Sequence, residues 1–160
     1  IKIIEYFPNH QFIVAGAPNI ELSYYNSSLK NKNIKVIENK TYELLSISTA
    51  AIVTSGTATL ETALFKVPQV VCYKSSYFSY FIAKLIVKIK YISLVNLIMD
   101  QQIVKELIQQ DCNKVNITNE LKKILDLNHR KSLLIKYDEL TSVLGNYGTS
   151  KRVALDIIKK

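Results

Sequence analysis

The stretch "AAIVTSGTATLETALFKVPQVVCY", residues 50–73, constrains the fold more than any other part of the chain. Ala50 to Val53 and Gln69 to Tyr73 read as strands buried on both faces, and Thr57 to Phe65 between them reads as a helix with Leu60 and Leu64 on one side. The same alternation runs upstream. Phe12 to Ala15 is a strand ended by Gly16-Ala17-Pro18, Glu21 to Leu29 a short helix, Ile34 to Ile37 a strand, and Thr41 to Ile47 a helix with Thr41 placed to cap it. Strands and helices alternating at this spacing predict an α/β protein with a doubly wound parallel sheet.

Beyond the second strand of that unit, a helical period from Tyr77 to Ile89 brings Phe81, Leu85 and Ile89 together, and Tyr91 to Met99 reads as extended. Helices are expected over Gln101–Gln110, Ile117–Leu125, Arg130–Leu144 and Thr149–Ile158, with Gly145 to Gly148 turning between the last two, so 101–160 is expected to be mainly helical. A length of 160 residues with 48% hydrophobic residues suits one domain with a sizeable core. The opening "IKIIEYFPNHQFIVAGAP" has no Met, basic leader or apolar signal block, and reads as a piece of a longer chain. Lys66, Lys74, Lys84, Lys88 and Lys90 interrupt every run before it reaches the roughly 18 apolar residues of a membrane span. Cys72 and Cys112 lack any ligand spacing and are expected to be buried reduced thiols, which fits a cytoplasmic protein, and His10 and His129 have no partners for a metal.

The chemistry is concentrated where the strand enters the helix. Ligands of open parallel sheets sit outside the carboxyl ends of the strands. There Gly56 permits a sharp turn and close approach to the main chain, Ser55, Thr57 and Thr59 add hydroxyls, and the free amides of the helix start carry partial positive charge. Together these make an anion cradle for a phosphate or diphosphate. Glu61 would repel that anion, and is better aimed past it at a neutral diol such as the hydroxyls of a ribose. The simpler alternative is a helix cap followed by a solvated glutamate. Glu61 is out of register for a capping box, because the residues three after Thr54, Ser55 and Thr57 are Thr57, Ala58 and Leu60.

"SGTATLETALFKVPQVVCYK", followed by "YFIAKLIVKIKYISLVNLIMDQQIVKELIQQDC", resembles the lipid-A-disaccharide synthase family of GT-B glycosyltransferases. The resemblance runs from about Phe12 to the C terminus and is most specific from Ser55 to Cys112. It implies that 1–160 is the C-terminal, Rossmann-like, UDP-sugar-binding half of a GT-B fold. It implies an inverting transfer of 2,3-diacylglucosamine from UDP to 2,3-diacylglucosamine 1-phosphate, with no cofactor and no required metal. By resemblance, Ser55, Gly56, Thr57 and Thr59 surround the diphosphate and Glu61 binds the ribose, while Asn96 and Gln109 belong to the nucleotide-sugar site and Phe78 lies near it. The family's catalytic aspartate belongs to the N-terminal half, so no catalytic residue is expected within these residues and the fragment alone is expected to be inactive.

Without the family these further residues stay ambiguous. Asn96, set in an apolar run, must be satisfied by backbone or by ligand; Gln109 reads as solvated, and Phe78 as core. The competing readings of the whole are another GT-B protein that uses UDP-N-acetylglucosamine, and a nucleotide-binding module without chemistry. A net charge of +8 favours anionic partners. The lysines and aromatics between Thr62 and Met99 suit either an anionic bilayer on the inner face of a bacterial inner membrane or a core helix with snorkelling lysines. No RNA-binding signature is present, so nucleic acid is not an expected partner. The resemblance also implies a homodimer formed by C-terminal exchange, with the Gly145-Asn146-Tyr147-Gly148 turn as its hinge.

Overall fold

The computed structural model describes residues 3–29, 34–75, 90–145 and 157–158. A 3-10 turn at Ile4–Tyr6 precedes β1 (Ile13–Gly16), α1 (Leu22–Ser28), β2 (Lys35–Glu38), α2 (Thr41–Ile47), β3 (Ala51–Thr54), α3 (Thr57–Leu64) and β4 (Gln69–Tyr73). After these come α4 (Leu94–Met99), β5 (Lys105–Ile108), a 3-10 turn at Gln109–Asp111, α5 (Lys114–Leu125) and α6 (Leu127–Leu144). The described strands form two hydrogen-bonded groups, β1 with β2 and β3-β4-β5, and every pairing is parallel. The fold is therefore α/β and Rossmann-like.

β4 shows why its sequence is apolar throughout. Gln69, Val70 and Val71 follow one another with no exposed surface, and successive strand residues point to opposite faces, so both faces of this central strand are covered. α3 packs against β3 and β4, and α5 against β4 and β5. The core continues into α5 and α6 through Leu121, Ile124, Leu133, Tyr137 and Leu140. Each such aliphatic side chain contributes about 1.5–3 kcal/mol by leaving water.

Two elements exchange character relative to the sequence reading. The segment expected to be extended, Tyr91–Met99, contains α4, whose start is capped by Ser93 accepting from the Asn96 amide. The expected helix Gln101–Gln110 is instead β5 and the turn after it. Ile103, Val104, Leu107 and Ile108 recur at helical spacing, but parallel pairing with β4 prevails over that period. On α3 the buried side is Thr59, Thr62 and Ala63, while Leu64 is exposed. The helix accommodates those hydroxyls by back-bonding, Thr59 Oγ1 to the Gly56 carbonyl and Thr62 Oγ1 to that of Ala58. Thr41 begins α2 without a capping bond. Asn113 and Asp126 cap α5 and α6, and α6 stops at Gly145, whose φ of +78° suits glycine. The expected helix over Tyr77–Ile89, residues 146–148 of the expected turn and most of the expected last helix lie outside the described residues.

Candidate functional site: the turn from β3 into α3

The register of β3, β4 and β5 brings their carboxyl ends to one edge of the sheet, where Thr54 hands the chain through Ser55 and Gly56 into α3. Gly56 has φ 139° and ψ −164°, a conformation essentially restricted to glycine. A Cβ added there would meet nothing within 4 Å, so the backbone angle and not crowding requires glycine, and the space beside it is open. No side chain caps α3, which leaves the first amides of the helix without an internal partner. An uncapped start carrying partial positive charge, beside open space, is suited to an oxyanion.

The expected hydroxyls divide. Thr57 is exposed at the first position of α3. Ser55 Oγ is committed to the main chain, donating to the Ile92 carbonyl at 2.7 Å. Thr59 is wholly buried, and its hydroxyl donates to the Gly56 carbonyl at 2.7 Å, so it shapes the turn from within. Glu61, one turn into α3, is partly buried, and its carboxylate has no hydrogen bond or ion pair among the described residues. It lines a depression of about 270 Å³ together with Asn39, Thr41, Tyr42 and Glu43, the residues that follow the carboxyl end of β2. Asn39 makes that bend with φ +56°, and the Tyr42 ring stacks on Phe65 at 5.3 Å. A larger depression, about 580 Å³, lies along the first turns of α1 and holds none of the expected site residues.

Asn96 and Gln109 both bond within the protein. Asn96 Oδ1 accepts from the amides of Ile103 and Val104 at 2.8 and 2.9 Å, and its Nδ2 donates to the Val104 carbonyl and to Glu106 Oε1, both at 2.8 Å. All four hydrogen-bonding positions of the amide are thus used within the protein. Gln109, expected to be solvated, is buried with φ +50°; its Oε1 accepts from the Ser75 amide at 3.1 Å and its Nε2 donates to Ser75 Oγ at 3.3 Å. It ties the end of β5 to the end of β4. Phe78 lies outside the described residues.

The residue that the sequence reading passed over is Glu106, on β5. Its Oε2 accepts from the Ile92 amide at 3.0 Å, and its Oε1 from the Ser93 amide, Ser93 Oγ and Asn96 Nδ2 at 2.7–2.9 Å. The one available signal was a carboxylate flanked by Lys105 and Leu107, in a segment whose apolar spacing looked helical.

Against known families, residues 2–152 match the model described as lipid-A-disaccharide synthetase. The chain belongs to the lipid-A-disaccharide synthetase family. Relatives named lipid-A-disaccharide synthase include one from Anaeromyxobacter dehalogenans strain 2CP-C, 34% identical over 155 residues that cover 94% of this chain and 40% of the relative. The relative from Sulfurihydrogenibium sp. strain YO3AOP1 is 36% identical over 137 residues, 85% of this chain and 35% of that protein. The relative from Coxiella burnetii strain Dugway 5J108-111 is 34% identical over 148 residues, 92% and 39% respectively. This synthetase-family chain therefore spans about two fifths of the length of such relatives. Among its described residues no helix is long and apolar enough to cross a membrane, and no group of three His, Cys, Asp or Glu side chains is placed to hold a metal. Its two cysteines are free and partly buried. Burial, and then the neighbouring Cys112 thiol, push the Cys72 thiol up to about 12, which leaves little thiolate for nucleophilic chemistry at neutral pH.

Proposed function

We propose that this chain is the donor-binding part of a lipid-A-disaccharide synthase, the part that holds UDP-2,3-diacylglucosamine while the sugar passes with inversion to 2,3-diacylglucosamine 1-phosphate. The observation that carries the reading is the uncapped start of α3 behind a glycine-only turn, with the Glu61 carboxylate, which has no partner among the described residues, one turn further along. In this arrangement the Gly56–Ala58 main chain and the Thr57 hydroxyl receive the diphosphate, and Glu61 accepts from the ribose hydroxyls. As the sugar carbon departs, negative charge grows on the leaving diphosphate, and the positive end of α3 stabilises it without having to reorganise. The acceptor and the general base come from the remainder of a whole-length protein, across the open side of the turn. Roles inside the chain fall to Ser55, Thr59, Asn96 and Gln109, whose bonds hold the turn and the strand ends in place. The test is ligand-selective. Glu61→Ala should weaken UDP at least tenfold, about the worth of one charge-assisted hydrogen bond, and leave inorganic pyrophosphate, which has no ribose, unchanged. Equal losses for both ligands, or none for UDP, would contradict the assignment.

A further inference from the structure

The Ile92–Ser93 peptide joins Glu106 to the ligand turn. Ser55 Oγ, next to Gly56, donates to the carbonyl of this peptide at 2.7 Å, and the N–H of the same peptide donates to Glu106 Oε1 at 2.9 Å. The other carboxylate oxygen holds the preceding amide, that of Ile92, at 3.0 Å, and the Ser93 hydroxyl adds a bond at 2.7 Å. Glu106 is itself fixed by its strand, in register with Val71 of β4, and by Asn96, whose amide is saturated. A carboxylate that accepts from a peptide N–H pushes electron density through the amide towards its carbonyl oxygen and makes that oxygen a stronger acceptor, so successive bonds along such a chain reinforce one another.

From this we infer that Glu106 is a positioning residue for the nucleotide site: through the Ile92–Ser93 peptide it fixes the Ser55 hydroxyl, and with it the Gly56–Ala58 amides that receive the diphosphate. Glu106 touches no ligand. Its effect is to hold the turn in its binding geometry before the ligand arrives, so that little ordering remains for the binding step. The inference rests on the placement of the diphosphate proposed above.

Two readouts separate the two ideas. The first needs no ligand. Amide hydrogen exchange at Thr59, whose N–H donates to the Gly56 carbonyl at 3.1 Å and so reports opening of the turn, should quicken about tenfold or more in Glu106→Gln, while exchange at Tyr137 and Leu140 in α6 stays as in the unchanged protein. The second is binding: Glu106→Gln should weaken UDP and pyrophosphate by the same factor, about tenfold. Ser55→Ala should do likewise, and the double variant should lose no more than the worse single one, because both act through one peptide. Glu106→Ala should exceed Glu106→Gln in both readouts, and if the alanine variant does not fold, the glutamine variant decides alone. Unchanged exchange at Thr59, additive losses, or equal acceleration throughout α6 would overturn the inference, the last by showing that Glu106 serves stability only. If the unchanged protein binds neither UDP nor pyrophosphate, the proposed site is wrong, and the exchange readout alone judges the coupling.

Discussion

Asn96 and Glu61 are both polar residues expected at the ligand site, and they differ in what they bond to among the described residues. Asn96 is wholly buried, and its amide closes two main-chain donors, one main-chain acceptor and a carboxylate. Asn96→Ala would strand the Ile103 and Val104 amides in a dry interior, at a cost of about 2–4 kcal/mol. A urea unfolding midpoint should fall accordingly with the slope preserved; a change under 0.5 kcal/mol would mean that water replaces the side chain. Glu61 has no such obligations among the described residues. Glu61→Ala should leave the same midpoint within about 0.5 kcal/mol, so that its loss of UDP affinity is a loss of contact and not of fold. The sequence could place Asn96 only as far as needing a partner, because an amide satisfied by main chain and one satisfied by ligand have the same one-letter code.

At the scale of elements, the turn into α3 was legible and the region after β4 was not. Gly56 between an apolar strand and a helix marks a backbone that other residues resist, and the structure gives it φ 139°. Any side chain there is strained even with open space around it, so Gly56→Ala and Gly56→Val should each lose about 1–3 kcal/mol. Thermal unfolding checks this, and a variant as stable as the unchanged protein would show that the turn relaxes to another conformation. Past β4, local pattern misled. The apolar run Leu94–Met99 has no period that separates strand from helix, and Ser93 as a cap decides for α4. β5 is four residues long, and its partner lies far away in sequence, so its helical-looking spacing is overruled only by pairing with Val70 to Tyr73. With β5 read as a helix, Gln109 reads as solvated and Glu106 does not stand out, so the network they form at the strand ends stays hidden.

For the whole molecule, buried protonated groups set an alkaline limit. Cys72 is held at about 12 against an ordinary 9.0, and burial raises Tyr137 above its ordinary 10.0 despite its hydrogen bonds with Gln69. Both groups are neutral when protonated, and the unfolded chain releases these protons first, at pH 9 and then 10. The stability they provide is therefore complete below pH 9 and is lost progressively as pH rises from 9 through 12. Melting temperature should be flat to pH 9 and then decline, and Cys72→Ala should remove the earliest part of the decline; an unchanged profile in that variant would mean that Cys72 titrates normally. Net charge of +8 gives the molecule a field that favours anionic ligands but selects none of them. In the proposed function selection falls to the α3 start and Glu61 together, and one calorimetric titration tests both: UDP, uridine and inorganic pyrophosphate against this chain under one set of conditions. UDP should bind more tightly than either part, with pyrophosphate displaced by UDP from the same turn and uridine binding lost in Glu61→Ala. Binding of all three with equal affinity, or of none, would contradict the account.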